Sequence, residues 1–442
     1  MSDPASLTDW LTRLERQHPV SIDLGLERVA EVARRMGLMD TPLTKRVITV
    51  AGTNGKGSTV AMLESLARAH GLSTATYTSP HLLRYNERLR LDGVEAEDDL
   101  LVTGFEHVEA ARLAPEPISL TYFEAGTLGA FWAIVQRCPD LAILEVGLGG
   151  RLDAVNVIDP DVAVITTIAQ DHAAFLGNDL EQIGREKAGI MRRMRPVVLG
   201  SEHLPASVRQ VAWTVGAGLH ALGDDFRHGD EAGPETTWTW QGRDGHGTPT
   251  TLAQLPDPGL PRDNAASALQ ALFLSGLTLD AEACRRGFAD VQLPGRMQWL
   301  GNWCLDVAHN PHAALYLASR FAQRVRPARR IGLLGMLGDK DATGVVAGLA
   351  SQVDGWVTVS LEGERARNAS ELADLLKSQA QTVLHCAESP AAGAEWLAGH
   401  LGEQDEVLVC GSFFTVAGVL EWFSLRGVDA IRQPSSAARR NA

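Results

Sequence analysis

Cysteine is scarce: five residues, at 138, 284, 304, 386 and 410, show no paired spacing of the kind a zinc or iron–sulfur site needs. That excludes a disulfide-stapled scaffold and leaves reduced, buried thiols as the expectation. Basic charge is also in short supply. Lysine and arginine number 40 against 54 aspartates and glutamates, a formal net charge of −14, whereas a nucleic-acid surface needs clustered cations. The basic pair Arg439–Arg440 lies in a short tail expected to be disordered. No apolar run approaches the roughly 18 residues of a membrane-spanning helix, and MSDPASLTDWLTRLE has acidic residues where a signal peptide needs an apolar core. Ser-His-Asp order, a GxSxG elbow, internal repeats and heptads are missing too. The expectation is a cytoplasmic protein that binds neither nucleic acid nor membrane, monomeric because no stretch reads as an exposed apolar interface.

What is present centres on Val47 to Gly71, VITVAGTNGKGSTVAMLESLARAHG. Val47, Ile48 and Val50 make the β-branched run of a buried strand, and Leu63, Leu66 and Ala67 recur at helical spacing up to Gly71. A glycine-rich turn lies between them. Backbone N–H groups, the charge of Lys56 and the partial positive charge of a helix N-terminus make such a unit a phosphate cradle. Ser58 or Thr59 is placed to bind magnesium. The pattern departs from GxxxxGK[ST]: Val50 stands at the first glycine position and Gly57 separates Lys56 from Ser58. A plain strand–helix turn would not require that lysine and those hydroxyls.

At 442 residues the chain exceeds one ordinary core, so two domains are expected. Leu7, Trp10, Leu11 and Leu14 mark an amphipathic helix capped by Ser6, and Leu26, Val29, Ala33 and Met36 a second, before which Asp23 is a candidate N-cap. Thr74 to Thr78 reads as a strand that breaks at Ser79-Pro80 into a connector dense in Arg, Asn and Glu, for which composition favours a solvated loop. After a polar helix near Leu100 to Leu113, a buried helix begins near Thr121, with Phe123 and Glu124 in its first turn, where the helix dipole favours a carboxylate. The buried run Leu141 to Glu145 is followed at once by glycines, Arg151 and Asp153. A carboxylate at that strand end sits where ligands bind in open α/β sheets and where phosphate-loop enzymes hold magnesium. Strand Val162 to Thr167 brings Asp171 and His172 to the same edge, and strand Pro196 to Gly200 closes the sheet. Lys187, on a helix between them, reads from spacing alone as a surface lysine.

Residues 221 to 258 read as hairpins or an insertion, and Gly259 to Leu274 starts a helix with Asn264 in its first turn. Leu293 to Trp299 looks like a linker. Beyond it strands Trp303 to Val307, Arg330 to Leu337, Trp356 to Ser360, Thr382 to Cys386 and Glu406 to Gly411 alternate with helices. Arg296, Asp306, His309 and Lys340 fall at or near the ends of these elements. The fold class is α/β: an N-terminal domain (1–293) with a phosphate loop and a mainly parallel sheet, a smaller Rossmann-like C-terminal α/β domain (294–433), and the tail 434–442. The two are expected to share a nucleotide–magnesium site at their interface.

The motifs SIDLGLERV, AGTNGKGS, TSPHLLRYNERLR, LTYFEAGTLGAF, LEVGLGGRLDAVN, QDHAAFLG, REKAGI, LPGR and DVAHNPHA occur in this order. In them the chain resembles the bifunctional dihydrofolate synthase/folylpolyglutamate synthase family of the Mur-ligase superfamily along nearly its whole length. The resemblance implies ATP-dependent amide formation: a carboxylate is phosphorylated and the amine of L-glutamate attacks the acyl phosphate. Dihydropteroate is the acceptor in one activity and the γ-glutamyl end of a reduced folate in the other. It also implies site residues. Asn54, Gly55, Lys56, Gly57 and Ser58, with Asn264, Arg296 and Asp306, match residues that hold ATP. Ser58, Ser79, Glu145 and His172 match magnesium ligands, and Lys187 matches a lysine carried as a carbamate. Ile22, Asp23, Leu24 and Gly25, Thr121, Tyr122, Phe123 and Glu124, and Leu152, Asp153 and Ala154 match the dihydropteroate pocket. Lys56, Lys187 and His309 are the catalytic candidates, with Ser412 as a further contact for glutamate or the acyl phosphate. The implied cofactors are ATP and one or two magnesium ions, with a monovalent cation as an additional candidate. A peptidoglycan Mur ligase shares the loop and chemistry, but it carries a UDP-binding domain ahead of the loop, where only 51 residues precede Gly52 here. A monofunctional folylpolyglutamate synthase is the nearer alternative, with SIDLGLERV and TYFE favouring the bifunctional family.

Overall fold

Runs of buried β-branched residues, each followed by a helix, set the architecture. The computed structural model describes residues 6–20, 22–230, 237–363 and 365–428; the expected disorder of 434–442 and the first residue of SIDLGLERV lie outside them. The chain divides into two compact units, one running to Ile168 and resuming at Leu176–Val291, the other comprising Ala169–Phe175 and the chain from Gln292. The segment Ala169–Phe175, within the range expected for the first domain, thus groups with the second unit. No described helix is long and apolar enough to cross a membrane.

In the first unit, Val47–Ala51 (β1), Thr74–Tyr77 (β2), Leu89–Leu91 (β3), Val94–Glu95 (β4), Leu141–Glu145 (β5), Val162–Ile165 (β6), Pro196–Leu199 (β7) and Gly218–Ala221 (β8) form one sheet in the order β4-β3-β2-β5-β1-β6-β7-β8. From β2 to β8 along that order the pairings are parallel. Every residue of β1, β5 and β6 is buried, as expected for central strands of a sheet flanked by helices. Helix starts follow their caps. Ser6 accepts from Asp9 N at the first helix, and Thr121 and Glu124 form a capping box at Tyr122–Arg137, worth about 1 kcal/mol.

Several expectations fail for local reasons. The sheet does not close at β7. Helix Ala206–Val215 ends on Gly216 in the left-handed region and returns β8 to the edge; GLHA is too short and too exposed to show a period. On the opposite edge the supposed solvated connector holds the antiparallel pair β3–β4, turned at Asp92-Gly93 with φ of 51° and 78°. Asp-Gly is the residue pair such a tight turn selects. Tyr85 and Asn86 of that connector are buried, and Glu87 accepts from Leu82 N, Leu83 N and Arg84 N. Asp23 is not the N-cap of Glu27–Arg35, which begins at Leu26 without a side-chain bond. Cys138 and Cys386 are exposed; only Cys284, Cys304 and Cys410 are buried thiols.

The stretch 221–258 does form hairpins: Arg227–Asp230 (β9), Thr237–Arg243 (β10) and Pro249–Pro256 (β11) pair antiparallel in the order β11-β10-β9. Trp238 and Trp240 are fully buried, meeting Phe288 at 5.3 Å and Phe273 at 6.0 Å between ring centroids. Two aromatics at period two therefore fasten this sheet to the helices Ala281–Asp290 and Arg262–Leu274.

The second unit carries Gln298–Leu300 (β12), Trp303–Leu305 (β13), Arg329–Leu334 (β14), Gly355–Val359 (β15), Val383–Ala387 (β16) and Asp405–Cys410 (β17), in the order β12-β13-β17-β14-β15-β16. All pairings but β12–β13 are parallel. The expected linker 293–299 is in part strand β12, which turns back through Gly301 at φ 60°.

Candidate active site

The phosphate loop leaves β1 and enters helix Lys56–Ala69 at Gly55, whose φ is 88°. Gly52 cannot be replaced by a residue with a side chain. At φ 154°, an added Cβ would lie 1.8 Å from Thr166 Oγ1. The loop is held by the Thr166-Thr167 pair that follows β6: Thr53 N donates to Thr167 O at 2.7 Å, and Thr166 Oγ1 to Asn54 O at 2.7 Å. Neither threonine stood out in the sequence, because their role comes from the β1–β6 register that sets Ala51 beside Ile165. Lys56 Nζ, half-buried, folds back onto the carbonyls of Gly52 (3.1 Å) and Thr53 (3.4 Å). The buried Asn264 donates to Ser58 Oγ at 2.8 Å, while Ser58 donates to Gly55 O at 2.9 Å. One lone pair remains on that hydroxyl. Asn264, expected from the resemblance to hold ATP, is thus placed inside the phosphate loop by a helix more than 200 residues away.

Glu145 is buried at the carboxyl end of β5, in register with Val50. Ser79, half-buried, follows the end of β2, whose Tyr77 pairs with Leu144. These sheet neighbours thus set a hydroxyl, a carboxylate and the phosphate loop on adjacent strand ends, an oxygen donor set suited to a hard cation such as magnesium. Among the described residues no three His, Cys, Asp or Glu side chains form a metal cluster, and the candidate set contains one carboxylate and one imidazole beside its hydroxyls. Lys187 is no surface lysine. It is buried, and its Nζ donates to Gly52 O at 3.0 Å.

The three segments expected for an acceptor pocket lie close together. Phe123 packs so tightly on the glycine turn after β5 that a Cβ at Gly147 would come within 2.5 Å of its ring. Asp153 shapes that turn, accepting from Leu148 N (2.7 Å) and Val155 N (3.0 Å). Burial pushes its carboxyl up to about 6, against the pull of those amide bonds. Ala154 is buried beside it, and Leu152 half-buried. Arg28, which the sequence reading passed over, joins Asp23 to the buried Glu124. Ile22, Leu24, Gly25 and Tyr122 are half-buried alongside.

In the second unit, Asp306 follows β13, buried, and accepts from Met297 N and Ala308 N at 2.9 and 2.8 Å. Burial pushes its carboxyl up, opposed by the charge of Arg296. Arg296 lies over the ring of Phe413 at 5.2 Å. His309 Nδ1 meets the carbonyl of Val307 at 2.8 Å and its Nε2 faces Asp171 at 3.3 Å. Asp171 also receives Lys340 Nζ at 2.5 Å and Asn310 Nδ2 at 3.3 Å. Burial alone would raise its carboxyl; the hydrogen bond and charge of His309, with His172 and Lys340, hold it well below the usual carboxylate range. His172, the next residue, is half-buried with φ 53°. Ser412 caps helix Phe413–Ser424, its hydroxyl accepting from Thr415 N at 3.0 Å.

Two family profiles match the chain, "Mur ligase middle domain" over residues 50–203 and "Mur ligase, glutamate ligase domain" over 295–413. The dihydrofolate synthase/folylpolyglutamate synthase of Escherichia coli (strain K12) is 44% identical over 425 residues, 95% of this chain and 96% of that protein. A structure of E. coli FolC in complex with DHPP and ADP superposes with a TM-score of 0.89 at 44% identity, covering 96% of this chain and 99% of that one. A bifunctional folylpolyglutamate synthase/dihydrofolate synthase with Mn, AMPPNP and L-glutamate bound gives 0.86 at 42% identity, over 96% and 98% of the two chains. Motif order, a phosphate loop at the carboxyl end of a central parallel strand and near-complete coverage agree, and the chain belongs to the dihydrofolate synthase/folylpolyglutamate synthase family of Mur ligases.

Proposed function

We propose that the chain ligates L-glutamate to dihydropteroate, giving dihydrofolate, and to the γ-carboxylate of reduced folates, at the expense of ATP. The observation that carries this reading is the placement of Glu145 beside the phosphate loop on β5 and β1, with Ser58 and Asn264 hydrogen-bonded inside it. The acceptor carboxylate oxygen attacks the γ-phosphorus of ATP and ADP leaves. The glutamate amine then attacks the acyl carbon; the C–N bond forms, phosphate departs and the amine gives up a proton.

Asn54 to Ser58 and Asn264 bind the phosphates, with Arg296 and Asp306 also holding ATP, and Lys56 carries positive charge to the transferring phosphoryl group. Ser58, Ser79, Glu145 and His172 are the oxygen and nitrogen donors assigned to magnesium, which when bound offsets phosphate charge. Lys187 as a carbamate would replace a buried ammonium beside Gly52 with an anionic oxygen donor; native mass spectrometry in bicarbonate should then show one added carbon dioxide, absent in Lys187→Ala. His309 is assigned to glutamate or the acyl phosphate. Residues 22–25, 121–124 and 152–154 form the dihydropteroate pocket, with the first domain (1–293) binding ATP and acceptor and the second (294–433) ligating glutamate. The reading also makes the enzyme a cytoplasmic monomer, which fractionation and sedimentation test.

The decisive experiment is ATP-dependent phosphate release with L-glutamate, comparing dihydropteroate and tetrahydrofolate as acceptors. Turnover with both is expected. Turnover with tetrahydrofolate alone makes the enzyme monofunctional and removes the pocket assignments; none with either overturns the reading.

A further inference from the structure

We propose that Arg28 is a positioning residue for the acceptor substrate, clamping the segment 22–25 to the helix start at 121–124. The inference rests on the reading of those segments as the dihydropteroate pocket. Its geometry is independent of that reading. Nη1 of Arg28 pairs with Asp23 Oδ2 at 2.6 Å, and Nη2 donates to the Asp23 carbonyl at 3.0 Å and to Glu124 Oε1 at 2.9 Å. One planar guanidinium thus joins the 22–25 segment to Glu124, 96 positions beyond Arg28 in the chain, a task suited to its forked donors and not to the single ammonium of lysine.

The two carboxylates play unequal parts. The side chain of Glu124 is 4% exposed and its other oxygen accepts from Thr121 N at 2.7 Å. It is the anchor. That of Asp23 is 39% exposed, so part of its carboxylate still faces outward after Arg28 has oriented it. His18 Nε2 approaches the same oxygen at 3.7 Å, a second restraint on the Asp23 rotamer. With Glu124 buried and both its oxygens engaged, the open part of the Asp23 carboxylate is the acceptor this cluster presents, matched to a ligand edge bearing N–H donors such as an aminopyrimidinone ring. The clamp is held under a penalty. Among the described residues Arg28 Nε is buried with no hydrogen-bond acceptor, a cost tolerated when the rest of the side chain is fixed by a demand elsewhere. From Glu124 the linkage continues through its neighbour Phe123 to the turn at Gly147, so the clamp orders two pocket segments and abuts the third.

The test is steady-state kinetics of Arg28→Ala and Arg28→Lys, varying dihydropteroate, ATP and L-glutamate in turn, with thermal denaturation alongside. In the alanine variant the KM for dihydropteroate should rise about tenfold or more, as loss of a charge-assisted bridge implies, with a smaller rise in the lysine variant. The KM for ATP and for L-glutamate should stay within about twofold of wild type. A dihydropteroate KM equal to wild type overturns the inference. So does a parallel loss toward all three substrates at equal folded fraction, the signature of a merely structural arginine. If the alanine variant does not fold, the lysine variant decides by the same comparison. A wild type inactive with dihydropteroate refutes the pocket reading and the clamp together, whereas an active wild type with indistinguishable Arg28 variants refutes the clamp alone.

Discussion

Lys56 and Asp153 show how single residues act differently once buried geometry is known. Among the described residues Lys56 has no carboxylate as a hydrogen-bond partner; it rests on the carbonyls of its own loop, from which it can swing to a phosphate. Lys56→Ala should lower kcat by about 10²–10³-fold with the fold intact, the scale of losing one donor to developing charge. Amide formation at the normal rate would remove Lys56 from the site. For Asp153 the folded value of about 6 lies above the ordinary 3.8. Between them the folded chain keeps a proton that the unfolded chain has released. Its stabilising contribution is therefore full below about pH 4 and lost as pH rises through about 6, at about 1.4 kcal/mol per unit of pKa difference. Urea midpoints at about pH 5 and about pH 8 should differ less in Asp153→Asn than in wild type in that direction. An identical pH dependence in the two proteins would mean that burial does not raise this carboxyl.

At the scale of elements, the phosphate unit is supported from behind. Helix Ala281–Asp290 crosses Lys56–Ala69 at Gly287, where an added Cβ would stand 2.9 Å from Leu66 Cα, and Ser65 Oγ donates to Gly287 O at 2.7 Å. Backbone cannot give way as a side-chain tip can, so Gly287→Ala should destabilise by about 1–3 kcal/mol through overpacking. Differential scanning calorimetry should show the lower midpoint, and an unchanged one would refute this close crossing. The edge strands teach a related lesson. β8, β4 and β12 are two to four residues long, too short for a hydrophobic period to register. The turns beside β4 and β12 fall at Asp92-Gly93 and Gly301, where the backbone φ is positive.

For the molecule as a whole, nucleotide binding should appear as stability, since a ligand that binds only the folded chain adds RT ln(1 + [L]/Kd), about 2.7 kcal/mol at a hundredfold excess over Kd. AMPPNP with magnesium is expected to raise the melting temperature, and a chelator to reduce that gain. Lys56→Ala should shift less than wild type. No shift at saturating nucleotide would contradict ATP use; a gain untouched by chelation would contradict the metal assignment.

The amino-acid order by itself determined the fold class, the central strands and the family. Strands β1, β5 and β6 are buried throughout, so their apolar runs are uninterrupted and visible. The glycine loop, Glu145 and the Asp171-His172 pair are legible because strand ends in parallel sheets collect ligand groups. Other features existed only after folding. Thr166 and Thr167 became the loop's brace through strand register, and Lys187 became buried against Gly52 by a contact across 135 positions. Arg28 looked like one more charged residue on an amphipathic helix until Glu124 arrived from 96 residues away. Glu87 drew a polar connector around itself, and Ala169–Phe175 grouped with the second unit. Periodicity reports which face of an element is apolar, but a polar side chain's partner across the chain is set by tertiary packing alone.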